Sequence, residues 1–490
     1  MTARDATPGF ALDARALESR IARQWDDEIV PQLTDYIRLP AKSPSFDPQW
    51  EASGHIEAAV ALARRWIERQ DIPGLALEVV RLPGRTPLLF FDVPARGTGA
   101  SSRTVVLYGH LDKQPEMTGW RPGFGPWTPV YEEGRLYGRG GADDGYAVFA
   151  AISAITALDA QSAARPRCVG LIETCEESGS YDLPAYLDAL KPRIGEVALV
   201  VALDSGAGNY DQLWVTTSLR GIVNGTLTVN VLTEGVHSGD AGGVVPESFR
   251  IARQVLDRID DSRTGVVKPK AFACEVPAER LAQAKEAAAI LGESVWKRFP
   301  WASCCEPGQS AIFAQPMTKE PVEVILNRTW RAALAVTGAE GLPALQSAGN
   351  VQRPYTSLKL SLRLPPLVNG DAAAAEMKKI LESDPPYAAS VTFQYAGAGT
   401  GWNAPSFAPW LSAALDAASQ EFFGKPAAYM GEGGTIPFMS MLGEKFPGAQ
   451  LLVTGVLGPK SNAHGPNEFI DIAFAKKVTA ATAAVIAATK

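Results

Sequence analysis

The spacing of apolar residues changes twice along this chain of 490 residues. Up to about residue 217, segments with apolar residues three or four positions apart alternate with short, continuous apolar runs, which are typical of buried strands. Such alternation favours a doubly wound α/β sheet covered by helices on both faces. The predicted helices cover 14–38, 54–70, 145–158 and 183–189, and the predicted strands cover 75–81, 87–92, 104–110, 168–173 and 196–203.

A strict alternation of apolar and polar residues replaces this pattern after about residue 218. It is clearest in Ile222–Leu232, where one face of the predicted strand is apolar. Strands of this kind, together with two amphipathic helices, predict a separate α+β domain with an insertion at 274–320. Its other predicted strands are Val322–Asn327, Ala332–Thr337, Leu358–Leu364 and Val391–Tyr395, and its helices are Glu247–Ile259 and Asp371–Ser383.

The first pattern returns after residue 400, so the outer segments of the chain must meet in space. We therefore expect residues 1–217 and 398–490 to form one domain, with residues 218–397 inserted as a second domain. The predicted elements of the last segment are a helix at Pro405–Phe423, a strand at Gln450–Gly455 and a helix at Ile470–Thr489.

The composition excludes several classes of protein. An apolar fraction of 46% and a charged fraction of 20% describe an ordinary globular chain. A net charge of -7 gives no general attraction to nucleic acid or anionic lipid, and no apolar run is long enough to span a bilayer. The first residues lack the apolar core of a secretory signal, and the five cysteines form no disulfide framework. We therefore expect a cytoplasmic protein without nucleic acid or membrane partners.

Side chains that bind divalent metals follow four of the predicted strands. In an open α/β sheet, ligand sites collect at the carboxyl ends of the strands. A glycine-rich loop before a helix adds a carboxylate pair, which makes the set sufficient for two metal ions that share one carboxylate. The candidates are His110, Asp112, Asp143, Asp144, Glu176, Glu177, Asp204 and His464. Imidazole and carboxylate ligands without thiolate suit zinc, and also manganese or cobalt.

Each candidate also has a purely structural interpretation. Asp143 and Asp144 could cap the following helix, and the adjacent glutamates could form a solvated acidic loop. Asp204 follows an apolar strand, so its carboxylate needs either a metal or a basic side chain as a partner. His464 lies in a loop rich in glycine and proline, and local sequence alone favours an exposed histidine.

Six short motifs, taken together and in order, resemble the M20 metallopeptidases. Within that family the chain is most similar to the carnosinase and cytosolic nonspecific dipeptidase branch and its bacterial relatives. The motifs extend from about residue 105 to residue 470. They are Gly109-His110-Leu111-Asp112, Gly138-Arg139-Gly140-Gly141-Ala142-Asp143-Asp144-Gly145, Glu176-Glu177-Ser178-Gly179-Ser180, His237-Ser238-Gly239, Glu432-Gly433-Gly434-Thr435-Ile436-Pro437 and Ala463-His464-Gly465-Pro466-Asn467-Glu468.

The resemblance implies a centre of two metal ions, zinc first. Asp143 would bridge the ions, and the peptide between Asp143 and Asp144 would be cis. Asp112 would orient the ring of His110, and Glu176 would take a proton from the bridging water and pass it to the leaving amine. The metal ligands would be His110, Asp143, Glu177, Asp204 and His464.

The resemblance also implies a phosphorylase/hydrolase-like catalytic domain and a ferredoxin-like lid domain through which two subunits form a homodimer. His237 and Asn350 would reach the partner's active site and stabilise the oxyanion of the scissile carbonyl. Arg363, with the loop Gly433-Gly434-Thr435, would bind the substrate's carboxylate. Without the resemblance, Arg363 could be an ordinary outward strand residue, and Asn350 could cap a turn.

These features predict hydrolysis of a small amide bond in a substrate with a free carboxylate, with a dipeptide as the first choice. An N-acyl or N-carbamoyl amino acid is the alternative substrate, and a catalytically silent metal-binding dimer is the alternative of a different class. The chain departs from its relatives at Gly145-Tyr146, where they usually carry lysine and glycine after the aspartate pair. This departure removes no metal ligand. It does make the detailed substrate preferences of the relatives a poorer guide to those of this chain.

Overall fold

A computed structural model describes residues 12–303, 313–434 and 438–490. The chain divides into two compact units. The first unit contains Met1–Thr216, Ala404–Tyr429 and Met441–Lys490, and the second contains Thr217–Asn403 and Met430–Ser440. The short segment Met430–Ser440 therefore groups with the middle of the chain, although the hydrophobic pattern assigned it to the outer segments.

Helices make up a large part of the described residues. They are α1 (Ala14–Gln24), α2 (Val30–Ile37), α3 (Trp50–Ser53), α4 (His55–Glu68), α5 (Tyr146–Ala160), α6 (Leu183–Ile194), α7 (Ser238–Ala241), α8 (Ser248–Leu256), α9 (Ala278–Leu291), α10 (Ser294–Lys297), α11 (Pro321–Thr329), α12 (Gly370–Glu382), α13 (Pro409–Phe423), α14 (Phe438–Lys445) and α15 (Ile472–Ala488). Within the described part of the chain, none of them is both long and apolar enough to cross a membrane.

The strands are mostly short. They are β1 (Ala76–Val80), β2 (Leu88–Val93), β3 (Thr104–His110), β4 (Val130–Glu132), β5 (Arg135–Tyr137), β6 (Cys168–Glu173), β7 (Val197–Ala202), β8 (Trp214–Leu219), β9 (Gly221–Asn230), β10 (Val236–His237), β11 (Ala333–Glu340), β12 (Val351–Gln352), β13 (Tyr355–Leu364), β14 (Ser390–Gly399), β15 (Trp402–Asn403), β16 (Ala428–Glu432), β17 (Gln450–Val453) and β18 (Phe469–Asp471).

A mixed six-stranded sheet forms the centre of the first unit, in the order β1-β2-β6-β3-β7-β17. The four neighbours β6, β3, β7 and β17 are parallel, whereas β1 and β2 pair in antiparallel fashion. Every residue of β3, β6 and β7 is buried, which explains their continuous apolar sequences. Helix α5, buried from Tyr146 to Leu158, packs on β3. The carboxyl ends of four neighbouring strands thus lie at one edge of the sheet.

An antiparallel sheet in the order β11-β13-β9-β14 forms the centre of the second unit. Burial alternates residue by residue along β9, because only one face of the sheet is covered. Helices α8 and α12 pack on β9 and supply Ile251, Val255 and Met377 to the core on that face. Val223 and Leu360 are fully buried in the same core.

One predicted strand is wrong. Val322–Asn327 lies inside helix α11 and is not extended. Its β-branched residues suggested a strand, but Pro321 occupies the first turn of the helix, where its missing N–H costs nothing. Ile325, Leu326 and Thr329 then face the interior with helical spacing.

Candidate metal centre

Four strand ends bring metal-binding side chains to one edge of the sheet in the first unit. His110 is the last residue of β3, and Glu176 and Glu177 form a short turn after β6. Asp204 follows β7 by two residues, and His464 lies in the segment between β17 and β18. Because these strands are neighbours and parallel, residues distant in sequence meet here.

A glycine-rich turn positions the aspartate pair. The peptide bond between Asp143 and Asp144 is cis, as the resemblance implied. Gly140 has a φ of 83°, a conformation that favours glycine. A Cβ on Gly145 would lie 2.1 Å from the ring of Tyr36, so no side chain fits there without a rearrangement. A lysine side chain at this position would therefore collide with Tyr36.

Asp143 faces two histidines with its two carboxylate oxygens. Its Oδ1 lies 3.4 Å from Nε2 of His110, and its Oδ2 lies 3.0 Å from Nε2 of His464. Asp204 completes the first group, with Oδ2 3.8 Å from Nε2 of His110. Glu177 completes the second, with Oε2 3.5 Å from Nε2 of His464. Each group offers three ligand atoms within 4.8 Å of one another, and Asp143 belongs to both.

Unsatisfied buried atoms support a cation in each group. Nε2 of His110 and Oε1 of Glu177 are buried and have no hydrogen-bond partner within the described part of the chain. Buried polar atoms of this kind are rare in folded proteins, because desolvating them without a partner is costly. A divalent cation would supply the partner for both atoms. The residues present therefore fit the metal centre that the sequence predicts.

Burial and neighbouring negative charges shift the pKa values of the carboxylate ligands. Burial raises the pKa of Glu177 to about 8, and the charge of Asp143 adds to the effect. Burial likewise raises the pKa of Asp204 to about 7, again with a contribution from Asp143. For Asp143, the two histidines outweigh burial and hold its pKa well below the usual range. Cations would relieve the repulsion among these groups.

Asp112 contacts both the histidine and the glutamate pair. Its carboxylate accepts hydrogen bonds from the backbone N–H groups of Glu176, at 3.1 Å, and Glu177, at 3.0 Å. Nδ1 of His110 lies 3.0 Å from the backbone carbonyl of Asp112 and 3.5 Å from its carboxylate. Asp112 therefore fixes the orientation of the ring and the position of the turn together.

Glu176 is half-buried beside the two groups. Burial and the negative charge of Asp204 raise the pKa of its carboxyl group well above the usual value. A carboxyl group with a raised pKa holds a proton more readily than an exposed glutamate does. This is the property that a general base needs.

Arg139 was not among the predicted site residues, although it holds the loop of a candidate ligand. Its Nη2 donates to the backbone carbonyls of His464 and Gly465, both at 3.0 Å, and its Nη1 donates to Glu468 at 2.5 Å. The other oxygen of Glu468 accepts from the N–H of Gly140 at 2.9 Å. Arg139 and Glu468 both lie in the six motifs, but nothing in their local sequence reveals that they meet.

The remaining predicted residues lie in the second unit or outside the described residues. His237 and Asn350 are both exposed, and they are close together because the N–H of Ser238 donates to the carbonyl of Asn350 at 2.9 Å. Arg363 lies in β13. The carbonyl of Gly433 accepts a hydrogen bond from Nε of Arg220 at 3.1 Å. The carbonyl of Gly434 accepts one from the backbone N–H of Arg220, also at 3.1 Å. Thr435 lies outside the described residues.

The fold and the site define an α/β protein with a candidate centre for two divalent cations that share a carboxylate. A comparison with protein families identifies the group: residues 106–488 match the model of Peptidase family M20/M25/M40. Because this match covers most of the chain, the protein belongs to that family, and the resemblance inferred from the six motifs is confirmed.

Curated relatives of similar length share about a quarter of their residues with this chain. The Cysteinylglycine-S-conjugate dipeptidase of Corynebacterium striatum is 24% identical over 441 residues, which are 88% of this chain and 89% of that protein. The Cys-Gly metallodipeptidase DUG1 of Saccharomyces cerevisiae is 25% identical over 473 residues, which are 91% and 93% of the two chains.

A solved structure shows the same fold. The crystal structure of human carnosine dipeptidase 1 superposes with a TM-score of 0.76 and 21% identity, over 99% of each chain. The mixed α/β fold predicted from the hydrophobic pattern is therefore that of M20 peptidases.

Proposed function

We propose that this protein is a metal-dependent dipeptidase whose reaction takes place at the candidate metal centre. The observation that carries the proposal is the position of Asp143, whose two oxygens face His110 and His464 from different strand ends. A carboxylate shared in this way suits two cations roughly 3.5–4 Å apart. The relatives named above are dipeptidases, which favours the same substrate class here.

Two divalent cations would occupy the two ligand groups, with Asp143 shared. His110 and Asp204 would hold one cation, and Glu177 and His464 the other. The nitrogen and oxygen ligands suit zinc first and manganese or cobalt second. When bound, such cations lower the pKa of a water molecule and polarise the scissile carbonyl.

Glu176 would act as the general base. Its carboxylate would accept a proton from the attacking water and deliver it to the leaving nitrogen, so the same side chain serves both halves of the reaction. Asp112 would keep Glu176 in place through the hydrogen bond from its backbone N–H. The raised pKa of Glu176 supports this role, because the carboxyl group has to hold the proton between the two transfers.

The second unit would bind the substrate and join two subunits. In this proposal Arg363, Gly433, Gly434 and Thr435 bind the free carboxylate of the dipeptide. His237 and Asn350 would stabilise the oxyanion in the partner's active site, and their proximity in the second unit supports a joint role. The proposal includes a doubly wound catalytic domain, a ferredoxin-like lid that forms the homodimer, and a cytoplasmic location.

An N-acyl or N-carbamoyl amino acid is a weaker candidate substrate. Its chemistry is the same, since it also places a free carboxylate on the leaving side of an amide. The named relatives act on dipeptides according to their names, and this favours a free amine on the other side.

The replacement of Glu176 by glutamine tests the proposal. We expect the purified protein, loaded with zinc or manganese, to hydrolyse dipeptides faster than N-acetyl amino acids. E176Q should retain its metal and lose about two to four orders of magnitude in turnover, since the amide cannot accept the proton. Turnover is measured by release of free amino acids, and metal content by elemental analysis.

Glu132→Gln is the matched control, because Glu132 is an exposed glutamate that pairs with Arg121 at the surface. This variant should have the turnover and the metal content of the wild type. Full turnover in E176Q would contradict the role of Glu176. Failure of the metal-loaded wild type to hydrolyse any dipeptide would contradict the proposed function itself.

A further inference from the structure

Gln114, which was not among the predicted site residues, contacts a candidate metal ligand with its side chain. Its amide Nε2 donates a hydrogen bond to Oε2 of Glu177 at 2.5 Å. An amide nitrogen only donates hydrogen bonds and an ionised carboxylate only accepts them, so the pair is well matched. The side chain of Glu177 is only 3% exposed, and water therefore competes little for this oxygen.

An extended segment directs Gln114 and Asp112 toward the same glutamate. Lys113 lies between them and pairs with Lys42 in a β-bridge. Side chains two positions apart lie on one side of an extended chain. Asp112 accepts from the backbone N–H of Glu177 at 3.0 Å, whereas Gln114 donates to its side chain. Glu177 is thus held at its backbone and at its carboxylate by one segment.

Lys113 anchors this segment on its opposite side. Its Nζ donates to the carbonyls of Tyr36, at 2.7 Å, and Leu39, at 2.9 Å, and its side chain is fully buried. The aliphatic part of Lys113 packs against Gly140, where a Cβ would lie 2.7 Å from it. These contacts fix the segment without help from the metal ligands, so that its side chains are preorganised.

Arg139 supports both the residue after Gln114 and the loop of another ligand. Its Nε donates to the carbonyl of Pro115 at 3.2 Å, and its Nη2 donates to the carbonyl of His464 at 3.0 Å. One guanidinium group therefore fixes the backbone beside Gln114 and the backbone of His464. Because Gln114 in turn contacts Glu177, two ligands of the same group share this support.

The other oxygen of Glu177 indicates what the support achieves. Oε1 is buried and has no hydrogen-bond partner within the described residues. The carboxylate is therefore oriented through Oε2, while Oε1 keeps its acceptor capacity for a cation. Hydrogen bonds to a ligating carboxylate raise metal affinity, because they hold the ligand in the orientation that binding requires.

We propose that Gln114 is a positioning residue of the metal centre, which holds Glu177 for the cation of the second ligand group (Asp143, Glu177 and His464). This inference rests on the proposed function, in which that group binds one of two cations. Among the described residues, the side-chain hydrogen bond of Gln114 is to Glu177. Its removal should therefore weaken the binding of one cation and spare the other.

Gln114→Leu removes the amide and leaves a side chain that cannot bind metal. Zinc binding is measured without substrate, by competition between the full chain and a chelator of known affinity. We expect one cation to bind about 10- to 100-fold more weakly, as is typical when a ligand loses its hydrogen-bond partner, and the other to bind as in the wild type. Turnover should fall at limiting zinc and return to within about threefold of the wild type at saturating zinc, because Gln114 takes no part in the proton transfers.

Gln70→Leu is the matched control. Gln70 also donates its amide to a glutamate, to Oε2 of Glu28 at 2.9 Å. Its other hydrogen bonds are with Gln24 and Trp66, in helices α1 and α4. This variant loses the same kind of contact at a distance in sequence from every candidate ligand, and it should bind both cations as the wild type does.

A second comparison tests whether Gln114 acts through Glu177. In Glu177→Ala the second ligand group lacks this carboxylate and should bind zinc weakly. Adding Gln114→Leu to that variant should change the remaining affinity by less than about twofold, because the amide no longer has a ligand to hold.

Three results would overturn the inference. One is wild-type affinity for both cations in Q114L. Another is an equal loss at both ligand groups, which would indicate a general disturbance of the fold. The third is a further loss of about tenfold or more when Q114L is added to E177A. Binding of two cations by the wild type without hydrolysis of any dipeptide would contradict the proposed function and leave the role of Gln114 intact.

Discussion

Asp112 joins two parts of the candidate metal centre that are far apart in the sequence. Its carboxylate accepts two backbone N–H groups from the turn after β6, while its backbone carbonyl contacts the ring of His110. The resemblance implied that Asp112 orients this ring, and the carboxylate of Asp112 lies 3.5 Å from Nδ1 of His110. The two hydrogen bonds between Asp112 and the glutamate turn depend on the pairing of β3 with β6, which local sequence does not reveal.

Glu173 is a second buried carboxyl group near the site. Its Oε1 accepts hydrogen bonds from the hydroxyls of Tyr108, at 2.6 Å, and Ser180, at 2.9 Å, whereas its Oε2 is buried and has no hydrogen-bond partner among the described residues. Burial raises the pKa of Glu173 from 4.5 to about 8. The folded protein therefore holds this proton over a pH range in which the unfolded chain has released it.

The raised pKa predicts a pH-dependent loss of stability. Because the folded state binds the proton more tightly, the stabilisation is complete below pH 4.5 and is lost as the pH rises toward 8. Glu173→Gln keeps the neutral form at every pH. The urea midpoint of the metal-free variant should therefore fall less between pH 5 and pH 8.5 than that of the wild type. The corresponding difference in the free energy of unfolding should be on the order of a few kcal/mol.

Glu78→Gln provides the control for this comparison, since Glu78 is an exposed residue that pairs with Arg193. Its midpoint should follow the wild type at both pH values. An identical pH dependence for E173Q and the wild type would show that Glu173 is ionised in the folded protein.

At the scale of elements, the strands that carry the ligands are readily predicted and the contacts between loops are not. The predicted strands 104–110, 168–173 and 196–203 agree closely with β3, β6 and β7, since continuous apolar runs of this length leave few other possibilities. The pairing of Arg139 with Glu468 spans 329 residues and depends on β5 pairing with β18. The Val322–Asn327 segment was misassigned because its β-branched residues outweighed the proline that starts the helix.

Arg139 should control how firmly the second ligand group binds its cation. In Arg139→Met, the carbonyls of His464 and Gly465 lose their donor, and Glu468 is left buried without its cationic partner. The loop should then hold His464 loosely. After dialysis against metal-free buffer, we expect the variant to retain about one ion per chain where the wild type retains about two.

Arg135→Met is the appropriate comparison, because Arg135 lies on the adjoining strand β5, where it forms a long ion pair of 3.8 Å with Asp471 and lies over the ring of Phe469. It should retain the wild-type metal content. If R139M also keeps both ions at wild-type affinity while folding normally, Arg139 does not position the ligand loop.

At the scale of the whole molecule, an exposed edge strand supports the proposed homodimer. Strand β11 is eight residues long and lies at the end of its sheet, and Val336 on it is 50% exposed. Long edge strands with exposed apolar residues readily pair with a second chain. We expect analytical ultracentrifugation to give about twice the chain mass of 52.2 kDa at micromolar concentration.

Val336→Lys should weaken this association, since a charge on an edge strand opposes strand pairing. Val266→Lys, at a loop position that is 60% exposed, should leave the mass unchanged. A monomeric wild type would contradict the homodimer, and with it the supply of His237 and Asn350 by a partner subunit.

The central claim concerns two cations that share Asp143, and anomalous diffraction from crystals grown with zinc tests it most directly. We predict two anomalous peaks per chain, roughly 3.5–4 Å apart, with the oxygens of Asp143 between them. One peak should lie about 2 Å from Nε2 of His110 and the other about 2 Å from Nε2 of His464. A single peak, or no peak between these two histidines, would contradict the account.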